Sequence, residues 1–237
     1  MANKNDFSGV IGGKGYDLFM EAFPHFTELQ ETVSTVLDRN LPKRSSYSIL
    51  EVGCGPGPTT DSLLRVNPLI NVTAVEVEPQ MVVEARRNLS HYGDRVEIIQ
   101  ADIFDYLRDI DPNFYDGFAS GWTIHNFKQG RRPELLRQIY RVLRPNGVFV
   151  NGDKYKQTDE DQHQKDYDWS ITALRGVCER RNEEDWFNEW NDHMEYDERS
   201  EIVMDESGSL ELMAKIGFID PQVVWRKHME AIVFAKK

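Results

Sequence analysis

Glycine occupies alternate positions after a short apolar run, and this part of the sequence is the one best suited to holding a small ligand. The apolar residues within 49–52 predict a strand buried on both faces. The glycines that follow are Gly53, Gly55 and Gly57. Their missing Cβ atoms allow a sharp turn and let a ligand lie against bare main chain. Thr59 or Thr60 then caps a predicted helix, whose N-terminal N–H groups favour a polar or anionic group.

A carboxylate follows each of the next two predicted strands. Glu76 ends a strand about 20 residues after Gly57, the distance at which an acidic residue accepts hydrogen bonds from both ribose hydroxyls of a nucleoside. A solvated glutamate is the alternative, and ribose contact would suit NAD equally well. Asp102 ends the strand within residues 95–105, and its alternative role is the N-cap of the next helix. The pattern indicates a nucleoside site.

Three further residues have side chains that can move a proton. His125 follows the fourth predicted strand, at the carboxyl edge of the sheet where open α/β folds bind ligands. Asp153 comes just after the fifth strand, and His193 lies in a later helical region. Their structural alternatives are a helix cap, a turn former and a ring within an aromatic stripe. We treat all three as candidates for acid–base work.

The glycine spacing differs from the dinucleotide fingerprint, because Pro58 stands where the last glycine would be. From Glu51 to Gly57 the order is acidic-x-Gly-x-Gly-x-Gly, which resembles motif I of the class I S-adenosylmethionine-dependent methyltransferases. Residues 71–81, 95–105 and 114–154 also resemble that family, most strongly in Leu-Leu-Arg-Gln-Ile-Tyr-Arg-Val-Leu-Arg-Pro-Asn-Gly-Val-Phe-Val. The resemblance extends over about residues 48–153.

This resemblance implies an α/β fold with a Rossmann-like, seven-stranded, mostly parallel sheet, an antiparallel last strand and helices on both faces. We divide the chain into an N-terminal arm with helices broken at Pro24, a cofactor-binding core, a helical lid insertion, and a closing helix with an antiparallel hairpin. The corresponding ranges are residues 1–45, 46–153, 154–206 and 207–237. The arm helices are expected to pack over the sheet edge, with Tyr16 and Phe26 near the cofactor.

The same resemblance implies that the chain moves a methyl group from S-adenosyl-L-methionine to an O or N atom of a small organic acceptor. A hydroxyl acceptor needs a base, for which His125, Asp153 and His193 are the catalytic candidates. The cofactor-binding candidates are Glu51, Gly53, Gly55, Gly57, Glu76, Val77, Asp102, Ile103, Ser120 and Tyr16. The substrate-binding candidates are Trp122, Trp169, Trp186 and Trp190, whose rings provide apolar contact and attract a cation. Core packing is their alternative role.

Composition limits the partners and the compartment. The formal net charge is −12, so a nucleic-acid backbone would be repelled over most of the surface. No signal-peptide or membrane-spanning segment is visible, which predicts a cytoplasmic protein. The two cysteines give no disulfide framework, and the six histidines form no His-x-x-x-His pair, so we expect no metal. This argument does not exclude a magnesium ion bound by oxygen ligands. A homodimer would form through the N-terminal helices or the lid.

Two other functions share parts of this pattern. A nicotinamide oxidoreductase would also use Glu76, but Pro58 and the later stretches argue against it. The second alternative is a protein that binds the cofactor without transferring methyl, or that modifies it. Residues 23–26 and 199–237 resemble carboxy-S-adenosylmethionine synthase, in which an arginine holds the extra carboxylate, and Arg199 is the residue that would correspond.

Overall fold

The computed structural model of the chain describes Leu18 and residues 20–237, which contain one seven-stranded sheet. Its strands are β1 (Tyr47–Val52), β2 (Ile70–Glu76), β3 (Val96–Gln100), β4 (Tyr115–Gly121), β5 (Leu143–Lys154), β6 (Ile219–Lys227) and β7 (Glu230–Lys236). The helices are α1 (Phe26–Asn40), α2 (Pro58–Val66), α3 (Pro79–Leu89), α4 (Ile103–Arg108), α5 (Arg132–Val142), α6 (Glu160–Arg181), α7 (Glu184–Asp197) and α8 (Glu206–Ile216). Short 3₁₀ helices lie at Ser90–Arg95 and Ile124–Asn126.

The strand order is β3-β2-β1-β4-β5-β7-β6, and only β7 runs antiparallel to its neighbours. The strands β1 and β4 pair side by side, and the order reverses between them. Ligands of open α/β sheets bind in the crevice outside the carboxyl ends at such a reversal. The topology therefore directs the glycine turn after β1 and the segment after β4 to the same crevice.

Alternate residues of the central strands pack against opposite faces of the sheet. Ile49 joins a core formed with α1, α2 and α3, whereas Leu50 joins the core beneath α4, α5 and α8. Pro24 lies in a turn before α1, as predicted. The prediction that the first helices lie over the sheet edge is wrong for α1, because Leu29 and Val33 pack directly on Gly152 in β5. A glycine there lets the helix approach the middle of the sheet.

The fifth strand begins earlier than its hydrophobic pattern predicts. The strand β5 already starts at Leu143, which pairs with Tyr115, and it includes Asp153, which the sequence pattern places just after the strand. The next partners are Gly117 and Val148, so the register shifts through a bulge at residues 144–147. Asn146 has a φ of 63°, a conformation that asparagine tolerates.

Helices α6 and α7 form an insertion between β5 and α8. They pack on each other and on Phe23 and Phe26, with Leu174, Trp186 and Trp190 among the buried residues. The two ends of the insertion meet, because Lys156 forms an isolated parallel bridge with Asp205. The Lys156 N–H donates to the carbonyl of Met204 at 2.9 Å, and the Glu206 N–H donates to the carbonyl of Lys156 at 3.0 Å.

The predicted fold class is confirmed by this architecture. The sheet has the predicted strand number, the predicted antiparallel strand and helices on both faces. Strands β6 and β7 form the predicted antiparallel hairpin. Within the described part of the chain, no helix has the length and apolarity needed to span a bilayer.

Candidate active site

A cavity of about 340 Å³ opens at the carboxyl ends of β1, β2, β3 and β4. One side is lined by the glycine turn and the tips of β2 and β3, and the other by the segment after β4 and by α7. The predicted residues on its wall are Gly53, Gly55, Glu76, Val77, Asp102, Ile103, Trp122, His125, Trp190 and His193. The cavity thus joins the predicted nucleoside side to the predicted acid–base side.

Backbone conformation explains the first two glycines of the turn. Gly53 has a φ of +67°, and a Cβ placed on it would lie 2.2 Å from the side chain of Thr123. Gly55 has a φ of +53°, and a Cβ placed there would meet nothing within 4 Å. Because Gly55 lines the cavity, that space is cavity space bordered by bare main chain. A ligand can therefore lie directly on the backbone at Gly55.

Main-chain donors fix the Glu76 carboxylate at the mouth of this turn. Glu76 Oε2 accepts from the Gly55 N–H at 2.9 Å, and Oε1 accepts from the N–H groups of Val77 and Glu78 at 2.8 and 2.9 Å. A carboxylate has further lone pairs, so it can still accept from ligand hydroxyls. On the next strand tip, Asp102 lines the cavity and also caps α4 by accepting from the Phe104 N–H at 2.7 Å. Both roles predicted for Asp102 are therefore compatible.

Three of the predicted cofactor residues lie behind the cavity wall. Glu51 is buried beneath the turn, where it accepts from the Thr60 hydroxyl at 2.6 Å, and burial raises the pKa of its carboxyl to about 8. Gly57, at a φ of +104°, packs against Leu89 of α3. Ser120 is buried and donates to the Val52 carbonyl at 3.1 Å. Their contacts support the turn from behind. Tyr16 lies outside the described residues.

The structure joins two of the three proton-transfer candidates. His125 Nδ1 lies 2.5 Å from Asp153 Oδ1, and the His125 main-chain N–H donates to Asp153 Oδ2 at 3.2 Å. Asp153 is fully buried on β5, whereas His125 lines the cavity. The carboxylate fixes the imidazole so that Nδ1 carries the shared proton and Nε2 is the atom presented for chemistry.

Sequence analysis missed two charged residues, one on the cavity wall beside His125 and one just behind that wall. Lys154 of β5 lines the cavity, and its ammonium contacts Asp197 Oδ2 of α7. His193, one turn before Asp197, places Nε2 at 3.5 Å from the same oxygen. The spacing of His193 and Asp197 on a predicted helix was a signal for Asp197, because residues four apart share a helix face. Nothing local pointed to Lys154.

The ionisable groups on and behind this wall shift one another's pKa values. Burial raises the pKa of the Asp153 carboxyl, but the His125 charge and hydrogen bonds outweigh it and hold that pKa below its ordinary value. Burial likewise raises the pKa of Asp197, and Lys154, His125 and His193 together reverse the shift. Burial lowers the pKa of His193 to about 4, so its imidazole is neutral at pH 7.

Only two of the four predicted substrate-binding tryptophans reach the cavity. Trp122 lines it from a left-handed backbone conformation with a φ of 54°, and Trp190 lines it from α7. Trp186 is buried against Trp190, with ring centroids 5.7 Å apart. Trp169 stacks on His228 at 3.7 Å, away from the cavity wall. The core alternative therefore applies to Trp186.

The fold is that of solved S-adenosylmethionine-dependent methyltransferases. Residues 49–147 match the model of the methyltransferase domain family. The SAM-dependent methyltransferase of Aquifex aeolicus superposes with a TM-score of 0.59 at 18% identity, covering 93% of this chain and 97% of that one. Phosphoethanolamine N-methyltransferase 2 of Haemonchus contortus, in complex with S-adenosyl-L-methionine, gives 0.62 at 18%, covering 94% and 46%.

The relatives found by sequence are named as synthases and not as methyltransferases. The carboxy-S-adenosyl-L-methionine synthase of Campylobacter fetus subsp. fetus is 21% identical over 144 residues, which are 61% of this chain and 59% of that protein. The synthase of Photorhabdus laumondii subsp. laumondii is 27% identical over 148 residues, covering 61% and 56%. The chain thus matches less than two thirds of the length of these relatives.

Proposed function

We propose that this protein binds S-adenosyl-L-methionine in the cavity and transfers its methyl group to a hydroxyl oxygen of a small organic acceptor. The observation that carries the proposal is the cavity itself, in which the bare main chain of Gly55, the carboxylates of Glu76 and Asp102 and the imidazole of His125 share one space. The fold and the match to the methyltransferase domain support S-adenosyl-L-methionine as the methyl donor.

The fit to the donor rests on its hydroxyl and amine groups. We assign Glu76 to the ribose hydroxyls, because its oxygens are already oriented by three N–H groups. We assign Asp102, which lines the cavity, to the adenine amine, and the N–H of the next residue, Ile103, to the adenine ring. Gly55, where a Cβ would meet nothing within 4 Å, leaves room for the methionine portion. The bound donor supplies a methyl group on a sulfonium.

The chain's part in the transfer is to orient the acceptor and to remove its proton. His125 Nε2 is the candidate base, and Asp153 holds the ring in position and stabilises the imidazolium that forms. Trp122 and Trp190 provide apolar contact to the acceptor and exclude water from the reacting atoms. A hydroxyl acceptor is favoured over an amine because a neutral amine needs no such buried base. His193 is a second candidate for contact with the acceptor.

Formation of a carboxylated S-adenosylmethionine is the second candidate function, and it is favoured by the names of the sequence relatives. Arg199 was the residue proposed to hold the extra carboxylate. It is exposed, lies over the ring of Tyr196 at 5.2 Å and is not part of the cavity wall. This placement favours methyl transfer.

Two measurements test the proposal. Calorimetry with S-adenosylhomocysteine should give one site per chain, and Glu76→Ala together with Asp102→Ala should remove it. Mass spectrometry of the molecule that copurifies should then find the unmodified cofactor or its demethylated product. A carboxylated cofactor would support the second function instead. Failure of the native chain to bind any adenosyl compound would refute both.

A further inference from the structure

Two imidazole nitrogens and one carboxylate oxygen converge beside the cavity. His193 and Asp197 lie one turn apart on α7, and His125 comes from the 3₁₀ turn after β4. Asp197 Oδ2 lies 3.5 Å from His193 Nε2 and 4.0 Å from His125 Nε2. One possible ligand atom from each of the three residues lies within 4.8 Å of the other two. All three residues are more than nine-tenths buried.

We propose that His125, His193 and Asp197 form a binding site for a divalent first-row transition-metal ion, with Zn²⁺ as the first ion to test. Two imidazoles and a carboxylate are the donor set of many mononuclear zinc and iron(II) sites. Both histidines line the cavity, so the remaining coordination positions would face a ligand. Mg²⁺ prefers oxygen ligands and should bind poorly.

The hydrogen bonds around His125 are those expected of a histidine that binds a metal. A histidine that binds a metal usually donates its other ring N–H to a carboxylate, which fixes the tautomer and directs the ligating nitrogen. Asp153 holds His125 Nδ1 in this way, and Asn151 Nδ2 donates to Asp153 Oδ2 at 3.4 Å. His125 Nε2 is consequently directed toward Asp197.

Binding requires side-chain adjustment at one ligand in particular. Zinc lies about 2.0–2.2 Å from nitrogen and oxygen ligands, so two ligand atoms of a tetrahedral site are about 3.3–3.5 Å apart. The pair His193 and Asp197 already has this separation. His125 and Asp197 must approach each other by about half an ångström. The ligand atoms of His125 and His193 lie within 4.8 Å of each other and must approach by up to about 1.4 Å.

Lys154 competes with the ion for the Asp197 carboxylate. Its ammonium contacts Asp197 Oδ2 and lies 5.6 Å from the centre of the Trp122 ring. A divalent ion on the same carboxylate would be repelled by this charge. The side chain of lysine is long and flexible, so it can withdraw when the ion binds. Removing the charge should therefore strengthen metal binding.

The consequence for catalysis rests on the proposed function, whereas the binding itself does not. His125 Nε2 is the candidate base, and an ion that takes its lone pair leaves no acceptor for the proton. Zn²⁺ should accordingly inhibit methyl transfer, and a chelator should restore it. If Zn²⁺ binds but leaves the reaction unchanged or faster, the assignment of the base fails and the metal site stands.

The binding test uses the full chain after treatment with EDTA and dialysis. Calorimetric titration with Zn²⁺ should show one ion per chain, and Co²⁺ should give the visible absorption of a low-symmetry nitrogen–oxygen site. We expect His193→Gln and Asp197→Asn each to weaken binding by more than about 100-fold. His91→Ala removes an exposed histidine outside the cluster and should leave binding unchanged. Lys154→Met should tighten it.

Three different results would each contradict a part of the proposal. If the native chain binds no ion at millimolar concentration, the site does not exist. If His193→Gln binds as tightly as the native chain while His91→Ala does not, the ion lies elsewhere. If Lys154→Met leaves the affinity unchanged, the ion and the ammonium do not share Asp197. Melting temperatures identify any variant that is unfolded, and the Co²⁺ spectrum of the native chain then decides.

Discussion

The bare main chain at Gly55 gives the sharpest test of where the adenosyl ligand lies. Gly55→Ala places a methyl group in cavity space, because a Cβ there meets no protein atom within 4 Å. Gly93 offers a matched control outside the cavity, since it also has a positive φ, +57°, and also has open space around its Cβ position. Both substitutions place a Cβ at a positive φ, which costs about 1–3 kcal/mol, and Gly93, with a ψ of −131°, lies outside the left-handed helical region.

The two variants should differ in binding, and the loss of stability of Gly93→Ala reports the effect of backbone strain alone. A methyl group that intrudes on a filled contact costs about 1–3 kcal/mol, so Gly55→Ala should weaken S-adenosylhomocysteine binding by about 5- to 150-fold. Gly93→Ala should bind as the native chain does. Calorimetry gives the affinities, and urea unfolding gives the stabilities.

One result would refute this reasoning. If Gly55→Ala and Gly93→Ala bind the ligand equally well, the glycine turn does not touch it, and the assignment of the cavity to the cofactor fails. A loss of binding in both variants would indicate instead that backbone strain, and not contact, controls the affinity.

Three further predictions concern other parts of the site. Asp153→Asn should lower kcat by about 10²–10⁴-fold without changing S-adenosylhomocysteine affinity, because it unsettles the tautomer of His125; an unchanged rate would exclude the pair from proton transfer. The pKa of Glu51, ordinarily 4.5, is raised to about 8 by burial, so the folded chain keeps a proton that the unfolded chain releases. The free energy of unfolding should fall by up to about 1.4 kcal/mol per pH unit across that window. Glu51→Gln should remove this fall, as urea unfolding at pH 5 and pH 8 would show; parallel pH dependences in the two proteins would contradict it. Trp190→Phe should diminish the change in indole fluorescence when S-adenosylhomocysteine binds, whereas Trp169→Phe should not, because Trp190 lines the cavity and Trp169 does not.

Local sequence was sufficient to predict that the glycine turn and two strand-end carboxylates lie on one side of the same cavity. Gly53 and Gly55 are required by backbone conformation, and Glu76 and Asp102 end parallel strands whose neighbours could be inferred from the chain order. The pairing of His125 with Asp153 follows from the same logic, because β4 and β5 run side by side up to Gly121 and Gly152.

Local sequence could not place the side chains of the insertion. Trp186 and Trp190 are four residues apart on one helix face, so periodicity cannot tell which one reaches the cavity. That outcome depends on how α7 docks against the sheet. The contact between Lys154 and Asp197 joins positions 43 residues apart and has no signature in either segment.

The bridge between Lys156 and Asp205 brings the chain back to the place from which it departed. The end of β5 and the start of α8 are therefore adjacent in space, and a short loop could join them. The sheet would keep the same strand connectivity without the helical segment between them. Such a segment can be exchanged without altering the connectivity of the sheet, and under the proposed function the exchange would alter the acceptor side of the cavity and retain the glycine turn.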